Sequence, residues 1–281
     1  MEESDIETVE RCGIPVKSTP LHLLDAEYVF DGALEIVKDQ QKIQQYLWPE
    51  QHYFELLKAK KVSGMIISPV GKSDIYDQSS EEELKTCVFL DNEPGIQGGK
   101  YAFIGIDNCK AAKELTEQLL DAGHTEIAIV VGDLTETTCS ERLAGYREAL
   151  KERAITPKEE WVFVGNCRFE SGYEAMKKLA AMESRPTAVL AHNNVEAYGV
   201  MVAAKECGIR IPEEISLVCF DDFTRRELME PELTCIQQPI EAMGKAAVKC
   251  ILRNMVQEKE GSSEKLYMPY RLRLGNSIKK R

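Results

Sequence analysis

No stretch of this 281-residue chain is apolar over the roughly twenty residues that a membrane-crossing helix needs. The opening residues, MEESDIETVE, are acidic and hold no apolar signal core, so a cytoplasmic protein without a membrane partner is expected. Paired cysteines are missing too. The nine cysteines are an odd number and include no Cys-x-x-Cys, which argues against a disulfide framework or a zinc ribbon. Most of them, Cys219 and Cys235 among them, should be buried small hydrophobes. Basic surface is scarce: the net charge is −12, and residues 1–60 hold six Lys/Arg against twelve Asp/Glu. Such a segment repels phosphates, so duplex binding by it is not expected. The basic end Lys279-Lys280-Arg281 reads as a solvated tail.

Catalytic motifs are equally absent. His52, His124 and His192 have no His-x-x-x-His or His-Glu spacing, so no metal site is expected. There is no Gly-x-Ser-x-Gly elbow and no Gly-x-x-x-x-Gly-Lys phosphate loop. The three glycines within 95–99 precede a strand instead of opening a helix, and mark a turn. An enzyme and a bound cofactor are therefore not expected.

What is present is ordinary globular composition, 43% hydrophobic and 29% charged, in a chain long enough for one large core or two moderate ones. From Gly64 onward strands and helices alternate. Short apolar strands are predicted at 65–68, 87–90, 102–106, 127–131, 161–164, 187–191 and 215–220. Helices are predicted at 80–86, 109–122, 138–153 and 194–207. Another opens at the capping box Ser171-x-x-Glu174, and a long one carries the stripe Ile240, Met243, Ala247, Ile251 and Met255. Residues 265–274 form a closing extended segment. The five apolar residues of 127–131 are those of a parallel strand covered on both faces, and repeated strand–helix units mean parallel sheets. The first sixty residues are less regular. A strand at 21–24 before Phe30, a helix at 31–41, a strand at 42–48 and a segment at 50–61 are a compressed version of the same alternation.

Four segments are more specific: SERLAGYR (140–147), PTAVLAHNN (186–194), GIRIPEEISLVCFDD (208–222) and PELTCIQQP (231–239). Together they resemble the effector-binding domain of the LacI/GalR regulator family, and the resemblance runs over residues 64–274. It implies an α/β fold of two Rossmann-like lobes with parallel sheets, periplasmic-binding-protein-like of type I, with a ligand cleft between them. The implied first lobe is 21–122 plus 240–257 and the second is 123–237 plus 264–281, with 1–20 as an extension. The chain would cross between lobes near Gly123-His124, near 237–239 and within 258–264. An operator-binding headpiece is not evident. Ile6, Val9, Gly13 and Thr19 loosely echo a helix-turn-helix, but Pro15 and Pro20 would break its recognition helix.

The resemblance also nominates residues. Arg142 would point into the cleft and hold two neighbouring oxygens with its fork. Asn193 could donate to and accept from a ligand, whereas Asn194 is the expected cap of the helix that follows. Asp221, at the carboxyl end of a buried strand, would accept two hydroxyls, with Asp222 structural. Gln238 could bridge the lobes or touch the ligand. Asp91 would contribute from the first lobe, Asp107 would cap a helix, and Phe30 would wall the cleft, with Tyr198 and Phe220 as further stacking candidates. The implied function is a sugar-like effector sensor of a homodimeric transcriptional regulator, reaching DNA only through a headpiece. A transport-linked sugar-binding protein and an α/β enzyme acting on a sugar or nucleoside are the alternatives.

Overall fold

Strand pairing divides the molecule into two sheets. The computed structural model describes residues 50–69, 76, 78–96, 101–223, 225–256 and 264–281. Phe30, the expectations for 21–48 and the helix-turn-helix echo lie outside them. The first sheet has the order β1 (Met65–Ile67), β2 (Cys87–Leu90), β3 (Ala102–Gly105), β9 (Glu264–Tyr267), all parallel. In the second, β10 (Arg271–Arg273) pairs antiparallel with β8 (Thr234–Gln237). Parallel to β8 follow β7 (Ser216–Phe220), β6 (Ala188–Ala191), β4 (Ile127–Val131) and β5 (Val162–Val164). The expected α/β fold with two parallel-rich sheets is therefore present. No helix among the described residues is long and apolar enough to cross a membrane.

Helices α1 (Glu50–Ala59), α2 (Glu81–Lys85) and α7 (Ile240–Val256) belong to the first sheet, α7 lying along β1, β2 and β3. Helices α3 (Asn108–Asp121), α4 (Thr137–Glu152), α5 (Phe169–Ala181) and α6 (Asn194–Glu206) cover the second. All five residues of β4 and all five of β7 are buried, which is why both are apolar without alternation apart from Ser216, with large side chains such as Ile127, Ile129, Val130, Leu217, Val218 and Phe220. Each such side chain stabilises the fold by about 1.5–3 kcal/mol. One core cluster joins Ile104 and Ile106 to Leu115, Ile129, Tyr146 and Met243, so the two sheets share a continuous apolar seam. Two smaller clusters fill the outer faces. In the first lobe, Phe54, Tyr76, Phe89 and Tyr101 meet edge to face in succession at 5.0–5.5 Å.

Several boundaries differ from expectation. Helix α3 packs on α4 and against β7 and β8, so the first crossing is at Ile106-Asp107, one helix earlier than Gly123-His124. Strand β9 joins the first sheet beside β3 instead of the second, which moves the third crossing to residues 268–270. The predicted extended segment 265–274 is two strands in two sheets, because Pro269 interrupts it. Residues 238–239 lie between β8 of the second sheet and α7 on the first. Helix α5 begins at Phe169, and Ser171 Oγ instead accepts from the Asn166 amide at 3.0 Å and donates to its side chain. A capping box does form at Ser80 with Glu83.

The C-terminus is not a free tail. Ser277 Oγ accepts from the Thr234 amide and donates to the Leu217 carbonyl, and the Arg281 amide donates to Ala122. At Gly123 (φ 93°) an added Cβ would meet the Arg281 carbonyl at 2.7 Å. His124 lies beneath this strap, between Thr187 Oγ1 (2.8 Å), the Lys279 carbonyl (3.0 Å) and Ser216 Oγ (2.9 Å). Burial holds its pKa below the usual range, so the ring is neutral.

Candidate functional site

Two aspartates mark corresponding places in the two sheets. Asp91 follows β2 and Asp221 follows β7, each at the carboxyl end of a parallel strand, where open α/β sheets present ligand-binding groups. Both adopt left-handed backbone, φ 67° and 63°. Their amides continue the ladder, to Ile104 and Ile236, both at 2.9 Å. Left-handed backbone is sparsely populated by non-glycine residues, and such strain clusters at functional positions.

The two ends face one cleft of about 670 Å³, within the range of small-molecule sites. Asp91, Asp221, Asp222, Asn194 and Gln238 supply its polar groups; Leu90, Phe223, Ile240 and Met243 supply apolar wall. Gln238 Nε2 donates to Asp221 Oδ1 at 2.8 Å, across the entrance to α7. Asp91 Oδ1 and Gln238 Oε1 are buried and have no hydrogen-bond partner. Unpaired buried acceptors cost about 1–3 kcal/mol each, so the cleft is built to receive donors. Burial is the main cause holding the Asp91 carboxyl above its usual range. Arg142 opposes it, Asp221 adds to it, and the Gln238 hydrogen bond opposes it.

The structure brings together Asp91, Asp221 and Gln238 around this cleft, and neither Arg142 nor Asn193 lines it. Arg142 is buried beneath the floor. Its Nε donates to Asn108 Oδ1 (2.9 Å), its Nη1 to the His192 carbonyl (2.7 Å), and its guanidinium lies 4.0 Å over the Phe220 ring. Its Nε and Nη1 are thus held by protein, and its charge acts on Asp91 through space. The two asparagines exchange roles. Asn193 caps α6 by accepting from the Glu196 amide at 2.7 Å and donates to the Cys167 carbonyl at 3.0 Å. Asn194 lines the cleft and donates to the Asp222 carbonyl at 3.1 Å. Asp107 caps α3 as expected. Phe220 is core and Tyr198 leans on Phe169 at 5.6 Å, so the aromatic wall is Phe223.

Two features were missed in the sequence. Asn92, immediately after Asp91, reaches across to α4. Its Oδ1 accepts from the Thr138 amide (3.1 Å) and Thr138 Oγ1 (2.8 Å), while the Glu93 amide donates to Thr137 Oγ1 at 2.8 Å. The only prior signal was adjacency to Asp91. The second corrects the expectation that no metal-ligand set converges: Cys139, Cys167 and His192 offer ligand atoms all within 4.8 Å of one another. They come from α4, the loop after β5 and the end of β6. Spacing along the chain could not reveal them, because their neighbourhood is made by the parallel sheet.

Comparison with known proteins places the chain in a family. The periplasmic binding protein-like domain model matches residues 116–278. The HTH-type transcriptional repressor PurR of Klebsiella pneumoniae (strain 342) is 31% identical over 214 residues, 76% of this chain and 62% of that protein. PurR of Vibrio vulnificus (strain CMCP6) is 32% identical over 237 residues, 82% of this chain and 69% of that one. The chain thus spans about two thirds of the length of these relatives. Among solved structures, a transcriptional regulator CelR–cellobiose complex superposes with a TM-score of 0.72 at 24% identity, over 85% of this chain and 71% of that chain.

Proposed function

Because the chain belongs to the periplasmic binding protein-like family, as an effector-binding domain of the LacI/GalR type, we propose that it senses a polyhydroxylated small molecule held in the acidic cleft. The observation that carries this is the pair of buried, unpartnered acceptors, Asp91 Oδ1 and Gln238 Oε1, on residues that line one cleft with Asp221. Hydroxyls bring the donors that these atoms lack and accept in turn from Asn194 and Gln238. Asp91, Asp221 and Asp222 make the cleft acidic, which favours a neutral sugar over its phosphate. The cellobiose bound by CelR is of that chemistry.

In this reading the ligand shifts the lobes toward closure by its difference in affinity for the two arrangements, and no more. The shift passes to a DNA-binding headpiece, the route by which the whole protein would regulate transcription. A homodimer formed through first-lobe helices completes the reading, with Leu57 on α1 exposed; sedimentation velocity checks it. All eight cysteines among the described residues are free, which suits a reducing cytoplasm.

The test is thermal unfolding against pentoses, hexoses, disaccharides, their phosphates and purines. A true effector at a hundred times its dissociation constant adds about 2.7 kcal/mol to stability. Asp221→Ala is expected to remove that gain while the apo protein still folds. An unchanged ligand response in this variant sinks the site. The ligand recovered after incubation is expected to be chemically unaltered; turnover to a product would make the protein an enzyme.

A further inference from the structure

Beneath the cleft, on its second-lobe side, lies a cluster that effector binding does not use. Cys139 stands in the first turn of α4, Cys167 in the loop after β5, and His192 at the end of β6. Cys139 and His192 are buried and Cys167 is half-buried. Cys139 Sγ is 3.7 Å from Cys167 Sγ and 3.3 Å from His192 Nε2. Glu136 Oε2 approaches the same sulfurs, 3.6 Å from Cys139 and 3.9 Å from Cys167.

These separations can be compared with what one ion would impose. A tetrahedral zinc ion has bonds of about 2.3 Å to sulfur and about 2.0–2.2 Å to nitrogen or oxygen. Such bonds put the sulfur–sulfur edge near ~3.8 Å and the mixed edges near ~3.5 Å. The two edges from Cys139 Sγ within the set, 3.7 and 3.3 Å, lie close to those values, and all three ligand atoms lie within 4.8 Å of one another. A disulfide does not fit as well, since 3.7 Å is nearly twice the S–S bond of about 2.0 Å.

Two surrounding features support the same assignment. First, the space is reserved: a Cβ on Gly132 would lie 2.0 Å from Cys167 Sγ and 3.0 Å from Cys139 Sγ. Second, Glu196 is fully buried with both carboxylate oxygens unpartnered, and His192 Nδ1 is also unpartnered. The two stand 4.0 Å apart. A metal on Nε2 leaves Nδ1–H to donate to this carboxylate, the outer-shell arrangement usual for ligating histidines.

We propose that Cys139, Cys167 and His192, with a water molecule in the fourth position, form a zinc(II) site, with Glu196 orienting His192. Binding releases the two thiol protons to solvent and involves no change of oxidation state. The ion ties the start of α4 to the ends of β5 and β6, directly under Arg142 and beside the Thr137–Thr138 contact with the first lobe.

The test uses the full chain, reduced with a phosphine and stripped of metal by chelation, then dialysed against zinc chloride. One zinc per chain is expected to be retained, with a rise in Tm. Cobalt(II) is expected to give the thiolate charge-transfer band and the intense d–d bands of a tetrahedral site. Cys167→Ser should abolish the charge-transfer band or reduce it sharply, and Glu196→Gln should weaken zinc binding about 10–100-fold. Cys207→Ser, at an exposed cysteine on the far side of α6, should leave zinc binding unchanged. Because a core variant can misfold, the cobalt spectrum of the unmutated protein decides by itself. A reduced protein that retains no zinc, or a cobalt complex without thiolate bands, overturns the site. Equal zinc binding by Cys167→Ser and the unmutated protein overturns it too.

Discussion

At the residue scale the cleft is held in a costly form. Asp91 sits in left-handed backbone, half-withdrawn from water, with Asp221 close enough to raise its pKa further. Its folded pKa lies above the ordinary 3.8, so the folded chain binds this proton more tightly than the unfolded chain. The stability linked to Asp91 is therefore fully present below the ordinary carboxylate range. It is lost as pH rises through the elevated folded value, and constant above it. Asp91→Asn has no charge to desolvate, and Asn tolerates left-handed backbone. It is expected to stabilise the apo protein at pH 7 by on the order of 1 kcal/mol, with the gain vanishing in acid. Effector affinity should fall about tenfold or more as a charge-assisted hydrogen bond is weakened. Urea unfolding at pH 7 and pH 3, with a ligand titration, checks both. A variant less stable than the parent at pH 7 would contradict the assigned burial cost. That Asp91, Asp221 and Gln238 line one candidate cleft could be read in advance because each sits at a strand end or crossing that the sequence pattern marks. Arg142 and Asn193 were misplaced because a guanidinium and an amide serve protein partners as well as a ligand, and the sequence does not say which are nearer.

At the element scale the alternation of strands and helices was readable from Gly64 onward, since buried parallel strands are short apolar runs and helices carry caps and stripes. Which sheet a helix covers was not readable. Helix α3 follows a first-lobe strand yet packs on α4, and nothing in its own amphipathic pattern distinguishes those two floors. The decisive feature is a close approach. In the SERLAGYR segment, Leu143 is core, Tyr146 donates to the Ile127 carbonyl at 2.7 Å, and Gly145 faces α3. An added Cβ at Gly145 would lie 2.1 Å from the Cys109 carbonyl oxygen and 2.9 Å from Ala112 Cβ. The segment that suggested a ligand contact is thus in large part a helix-packing segment. Gly145→Ala must push two backbones apart, because the obstacle is main chain and cannot rotate away. A loss of about 1–3 kcal/mol or more is expected, despite the helix propensity gained from alanine. Guanidinium unfolding measures it; a neutral or stabilising result would mean that α3 and α4 are not so tightly apposed.

At the scale of the whole molecule the lobes are joined by helix capping as well as by the apolar seam. Helix α4 begins after Glu136, which makes no capping bond with its side chain. Its first-turn donors are met instead from the first lobe, by Asn92 Oδ1 on the Thr138 amide and hydroxyl. A cap supplied in trans makes the helix terminus sensitive to lobe separation: opening exposes an uncapped amide, and closing restores its partner. Substitution of a capping Asn by Ala ordinarily costs about 0.5–2 kcal/mol. Here that energy belongs to the closed arrangement alone, so it biases the lobe equilibrium as well as overall stability. Asn92→Ala is expected to enlarge the radius of gyration of the apo protein in small-angle scattering. Effector affinity should weaken by the same bias, about 2–30-fold, while saturating effector restores the compact form. A variant that loses stability but keeps both its scattering profile and its ligand affinity would make Asn92 a cap and nothing more. Recovery of compactness on ligand addition would instead tie Asn92, one residue from the Asp91 carboxylate, to closure of the cleft.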